Sequence, residues 1–134
     1  MLHRHLAGFD PRDLLGAGLR PVAGAADLAA ARQRVAHVSV APEVSAYVVD
    51  LVRATRTSPS LRLGVSPRGA IALISAARAW AWLSGRDYVS PDDVKALARP
   101  ALRHRVSLRP EAELEGVTTD AVLEGILATV PTPR

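Results

Sequence analysis

The sequence predicts an all-α fold, a small bundle of about five helices with room for one short two-stranded patch. Three observations carry this. Of 134 residues 24 are Ala, the strongest helix former, while aromatic residues make up only 4%. Two of the three Ser-Pro dipeptides, Ser66-Pro67 and Ser90-Pro91, each precede a run with helical periodicity. Alternating apolar and polar stretches, the mark of strands, are few and short. The chain is 49% apolar, enough for one core, and a charged fraction of 22% with a net charge of +4 excludes a disordered chain.

Residues 1–24 read as a connector. Asp10, Pro11, Gly16, Gly18 and Pro21 punctuate it with turn chemistry. From Ala25 to Val38 the pattern is helical, with Leu28, Ala31, Val35 and Val38 on one stripe. A short extended piece, His37 to Val40, follows. Pro42 suits the first position of a second helix, which carries Val44, Val48, Leu51 and Val52 inward and fades near Thr55. After a loop at Thr57 to Ser60 comes Leu61 to Val65. The third helix starts at an N-cap, Ser66, with Pro67 behind it, and runs to about Ser84, where Gly85 supplies a left-handed stop. Apolar residues nearly encircle it, so it is the expected central helix. Ser90-Pro91-Asp92-Asp93 is a complete start signature for a fourth helix, with Val89 and Val94 as a hydrophobic staple. Pro100 is expected to end or bend it. Arg105 to Arg109 alternates like a strand and is expected to pair with Val38 to Val40. A last helix starts near Thr118 and buries Leu123, Ile126 and Leu127. Residues 25–130 thus form the domain, and 131–134 a tail.

The basic residues are 16 Arg and a single Lys, Lys95, which follows Val94. A phosphate-cradling P-loop needs Gly immediately before its Lys, so this chain has none. With no cysteine, disulfides and thiolate metal sites are excluded. The four histidines show no metal-ligand spacing, so no metal site is expected. The most apolar run, Gly69 to Leu83, is interrupted by Arg78, and His3-Arg4-His5 opens the chain without a signal-like apolar stretch. A cytoplasmic protein with no membrane association is the expectation.

Few residues are placed for chemistry. Ser66 lies in a near miss for the G-x-S-x-G nucleophile elbow, and reads better as a helix cap. Glu111, Glu113 and Glu115 read as a solvated acidic turn. Arg99, Arg103, His104, Arg105 and Arg109 form the densest basic cluster, a stripe that a nucleic-acid-binding module could use, although the aromatic residues of single-strand binders are missing. Trp80 and Trp82 cannot share one helix face, and an exposed one would suit a free-standing helical adaptor. Arg68 stands out. It occupies the second position of the central helix, where free N–H groups and the positive dipole end favour anions. A cation there opposes the dipole, while its planar donor fork suits a phosphate.

Leu63-Gly64-Val65-Ser66-Pro67-Arg68-Gly69-Ala70, then Gly85 to Val94 (GRDYVSPDDV), then His104-Arg105 resemble the C-terminal lid of MoxR-type AAA+ ATPases. Ala54-Thr55-Arg56 and Gly8-Phe9-Asp10-Pro11 are similar too, so the resemblance covers nearly the whole chain. It implies a helical lid whose ATPase core, with its Walker motifs and Mg ligands, lies elsewhere, His3 to Gly8 being the end of that core. It places Arg68 at sensor 2, an arginine reaching the γ-phosphate of ATP, within the turn Ser66, Pro67, Arg68 and Gly69. It also implies a hexameric ring, a von Willebrand A-domain partner and chaperone-like remodelling. The segment alone is expected not to hydrolyse ATP. Nucleic acid is not an expected partner on this reading.

Overall fold

The computed structural model describes residue 8, residue 10 and residues 12–133. The stretch His3 to Gly8, the Phe9-Asp10-Pro11 turn and Arg134 therefore fall largely or wholly outside the described residues. The chain divides into two compact units, Met1–Gln33 and Arg34–Arg134. In the first, aspartates close the turns: Asp10 Oδ1 accepts from the Arg12 amide at 2.9 Å and Asp13 Oδ1 from the Gly16 amide at 2.8 Å. Helix α1 (Ala25–His37) begins where Asp27 accepts from the Gly24 amide at 2.8 Å. It buries none of its residues, and Leu28 of the expected stripe is exposed. Val38, the last stripe residue, is buried but lies just past the helix.

The second unit holds the core. Helix α2 (Pro42–Thr57) buries Val44, Tyr47, Val48, Leu51, Val52 and Thr55, the three-and-four spacing of one helical face. After strand β1 (Leu61–Leu63), helix α3 (Pro67–Leu83) turns Gly69, Leu73, Ala77 and Ala81 inward, a row in which all but Leu73 are small. Small residues let another backbone approach, and α3 packs most extensively on α4 (Pro91–Leu102). The encircling apolar pattern of α3 does not make it buried all round, because Ile71, Trp80 and Leu83 stay exposed. Pro100 sits in the last turn of α4, which continues to Leu102 and then tightens into a 3-10 turn, Arg103–Arg105. Strand β2 (Ser107–Leu108) and a short helix α5 (Pro110–Leu114) lead to α6 (Thr119–Thr129), which packs on α2 and α4 through Leu123. Six α-helices and one two-stranded sheet among the described residues make the fold all-α, as expected.

Two expectations are corrected. The RVSLR segment does not pair with Val38 to Val40. Leu108 pairs with Leu61 and Ser107 with Leu63, antiparallel, with an irregularity between them. Ser39 instead bridges Tyr88. The reason is helix direction. Ser39 and Tyr88 precede α2 and α4, whereas β1 and β2 follow them, so the two pairings lie at opposite ends of two helices running the same way. Helix α3 returns between those ends, its first turn near the last turn of α2. The acidic segment, expected as a turn, is helical over Pro110–Leu114, anchored by buried Ala112, with its glutamates exposed.

Candidate functional site at the start of helix α3

The last turn of α2 and the first turn of α3 meet at Gly64-Val65. A Cβ on Gly64 would stand 2.8 Å from the Arg56 backbone and from the Thr55 carbonyl carbon, so only glycine allows this approach. Val65 is fully buried. Both of its backbone polar groups then need partners, and no strand supplies them. The Val65 amide donates to Thr55 Oγ1 at 2.9 Å, and the same hydroxyl donates to the Val52 carbonyl at 2.7 Å. Thr55 is 1% exposed, a buried polar residue whose donor and acceptor capacities are both used. The Val65 carbonyl accepts from Arg56 Nε at 2.9 Å.

Ser66 then caps α3 in extended conformation, its hydroxyl accepting from the Gly69 amide at 3.3 Å. Pro67 takes the first helical position and is exposed. Arg68 is exposed at the second position, and its guanidinium has no hydrogen bond or ion pair among the described residues. No acidic residue stands in this first turn. Gly69 is buried, and a Cβ there would meet Val65 Cγ1 at 2.5 Å and Arg105 Cδ at 3.4 Å. Arg105 is held in turn by its Nε donating to the Ala101 carbonyl at 3.1 Å. Ser66, Pro67 and Arg68 thus face outward, while Gly69 packs inward.

The start of α4 is closed differently. Arg86 grips Asp93 through two hydrogen bonds of 2.6 Å, and Asp93 Oδ2 also accepts from the Ser90 amide and hydroxyl at 2.8 Å each. The Arg86 guanidinium, followed by the Ser90 donors, holds the buried Asp93 carboxyl at a pKa of about 2. Arg86 also lies 5.8 Å from the Tyr88 ring centroid. The capping box is legible in the sequence. The arginine completing it, seven residues upstream across a turn, is not. Thr55 and Arg56 stand out in the sequence only through a family resemblance, because their bonds to Val65 span ten and nine residues and follow no periodicity.

The remaining candidates are less open than the sequence suggests. Arg99 pairs with Glu124 and stands 4.0 Å from Asp120, which also lies 3.9 Å from Arg103. The basic stripe is thus partly neutralised by α6. Trp80 is exposed, and Trp82 packs half-buried against the core. Among the described residues no group of three or more His, Asp or Glu could hold a metal ion, and no helix is long and apolar enough to cross a membrane.

Residues 53–126 match the AAA lid domain family. The chain is 44% identical over 115 residues to the YeaC protein of Bacillus subtilis, covering 86% of this chain and 36% of YeaC. It is 38% identical over 133 residues to the MoxR protein of Paracoccus denitrificans, covering 89% of this chain and 39% of that one. Chaperone MoxR1 of Mycobacterium tuberculosis is 37% identical over 97 residues, covering 66% of this chain and 26% of that one. The chain therefore spans well under half the length of these relatives. A crystal structure from Cytophaga hutchinsonii, described as a candidate ATPase, superposes with a TM-score of 0.72 at 33% identity, covering 76% of this chain and 34% of that one. Together with the helical fold and the capped starts of α3 and α4, these likenesses show that the chain belongs to the AAA lid domain family, as a lid of the MoxR type.

Proposed function

We propose that this chain closes over ATP held by an AAA+ core, with Arg68 as the sensor 2 arginine that reaches the γ-phosphate. The supporting observation is the unpaired, exposed guanidinium of Arg68 on a helix start whose preceding residue, Val65, is bonded to α2 through both its amide and its carbonyl. The turn fits a phosphate. It offers a planar donor fork beside the positive end of a 17-residue helix, with no carboxylate in the first turn to repel an anion. Magnesium ligands are expected from the core, as the resemblance to MoxR-type ATPases implies. On this reading residues 1–24 connect core to lid, residues 25–130 form the lid and residues 131–134 a tail.

ATP supplies one more phosphate than ADP to the space facing this turn. Arg68 donates charge-assisted hydrogen bonds to it, worth about 1.5–3 kcal/mol. That difference is enough to bias the lid between two orientations by about tenfold or more. Through this bias hydrolysis is coupled to chaperone-like remodelling in a ring, commonly a hexamer, in the cytoplasm, with a von Willebrand A-domain protein as partner. The nucleic-acid reading draws no support from a stripe whose Arg99 and Arg103 face Asp120 and Glu124. The test is Arg68→Ala in the ATPase that combines this chain with its core. Hydrolysis is expected to fall at least about tenfold with the lid still folded. Unchanged turnover overturns the assignment.

A further inference from the structure

Val65 poses a donor and acceptor problem. Its amide needs an acceptor and its carbonyl a donor, both inside the corner between α2 and α3. The end of a helix offers carbonyls but no free donors. Thr55 and Arg56, the last-turn neighbours on α2, solve the two halves separately. The Thr55 hydroxyl relays between the Val52 carbonyl and the Val65 amide, while Arg56 Nε caps the Val65 carbonyl. Gly64 brings the backbones close enough for both bonds, and Gly69 leaves room for the Val65 side chain beneath the first turn of α3. Arg68 follows Val65 by three positions, so whatever fixes Val65 fixes the start of the helix that carries the arginine.

We infer that Thr55 and Arg56 are positioning residues for Arg68: they clamp Val65 to α2, so that the Arg68 guanidinium is presented from a rigid corner. This rests on the reading of Arg68 as phosphate-facing. Neither residue touches the nucleotide in this role. A displacement of the α3 start by about 1 Å is sufficient to cost a well-oriented contact much of its effect. Because the clamp joins α2 to α3, a pull on Arg68 is also carried to the helices that form the core of the unit.

The test is steady-state hydrolysis by the ATPase combining this chain with its core, for Thr55→Val, Thr55→Ser, Arg56→Ala and Arg68→Ala, singly and with Arg68→Ala as background. Thr55→Val and Arg56→Ala are each expected to lower kcat about tenfold, more than they change KM. Thr55→Ser, which keeps both hydroxyl bonds, restores kcat. In the Arg68→Ala background neither variant lowers turnover further, because the group they position is gone. Losses that multiply in that background, or single variants with normal kcat beside an impaired Arg68→Ala, overturn the positioning role alone. Normal turnover in Arg68→Ala itself removes the phosphate reading, and the positioning role with it. Arg56 is exposed, so its truncation keeps the test decisive even where Thr55→Val unfolds the chain.

Discussion

Ser66-Pro67-Arg68-Gly69 opens α3 and Ser90-Pro91-Asp92-Asp93 opens α4, each with a serine cap and a proline at the first helical position. Beyond that dipeptide the two helix starts diverge. In α4 the next two residues are acidic, as the helix dipole prefers, and the second is buried under a bidentate arginine. In α3 the next two are a cation and a glycine, the cation is unpaired, and Val65, just ahead of the serine cap, is held by side chains of another helix. The α4 start satisfies itself locally and contributes to stability. The α3 start forgoes the favourable charge and is braced from outside, which is the arrangement that the proposed phosphate-facing role of Arg68 calls for.

The comparison can be broken at α4 first. Asp93→Ala removes the capping box and leaves Arg86 without its partner, and is expected to cost about 2–4 kcal/mol in urea unfolding of the 134-residue chain. A loss under about 1 kcal/mol would mean that α4 is not held by this cluster. Acid gives a somewhat smaller effect with a defined sign. The Asp93 carboxyl is lowered from 3.8 to about 2 in the folded chain, so its contribution is complete above about pH 4 and is lost as the pH falls toward 2. The stability gap between the native chain and Asp93→Ala should shrink by about 2 kcal/mol across that interval. A gap that stays constant with pH would show the carboxylate is not what the cluster stabilises. The smallest expected change sharpens the contrast from the α3 side. Arg68→Asp should make α3 resemble α4 and raise stability by about 0.3–1 kcal/mol, read as a higher urea midpoint. A loss of stability would mean that Arg68 has a structural partner.

Both helix starts are legible because capping is local: a serine, a proline and the residue at the third position decide it within one turn. The inward face of α2 is legible from periodicity, down to Val44, Val48, Leu51 and Val52. Strand pairing is not, because the partner of Ser107-Leu108 depends on which helix ends lie together. The five residues of α5 are too few to show a helical period. At the candidate site Arg68 is visible as a misplaced charge, and Gly69 as part of its turn. That Gly69 packs inward on Val65, and that Thr55 and Arg56 hold the corner, emerges only when residues distant along the chain are brought into contact.

The sequence by itself determined the helical class, the starts of α3 and α4, the absence of a P-loop lysine and the arginine at the second position of α3. These follow from short-range chemistry: caps, dipoles, the identity of a single residue. Tertiary structure decided which strand pairs with which, that Asp120 and Glu124 of α6 partly neutralise the basic stripe, and that the start of α3 is clamped to α2. Such features depend on which backbone donors and acceptors are left over once the helices have packed, and that remainder is set by the fold as a whole.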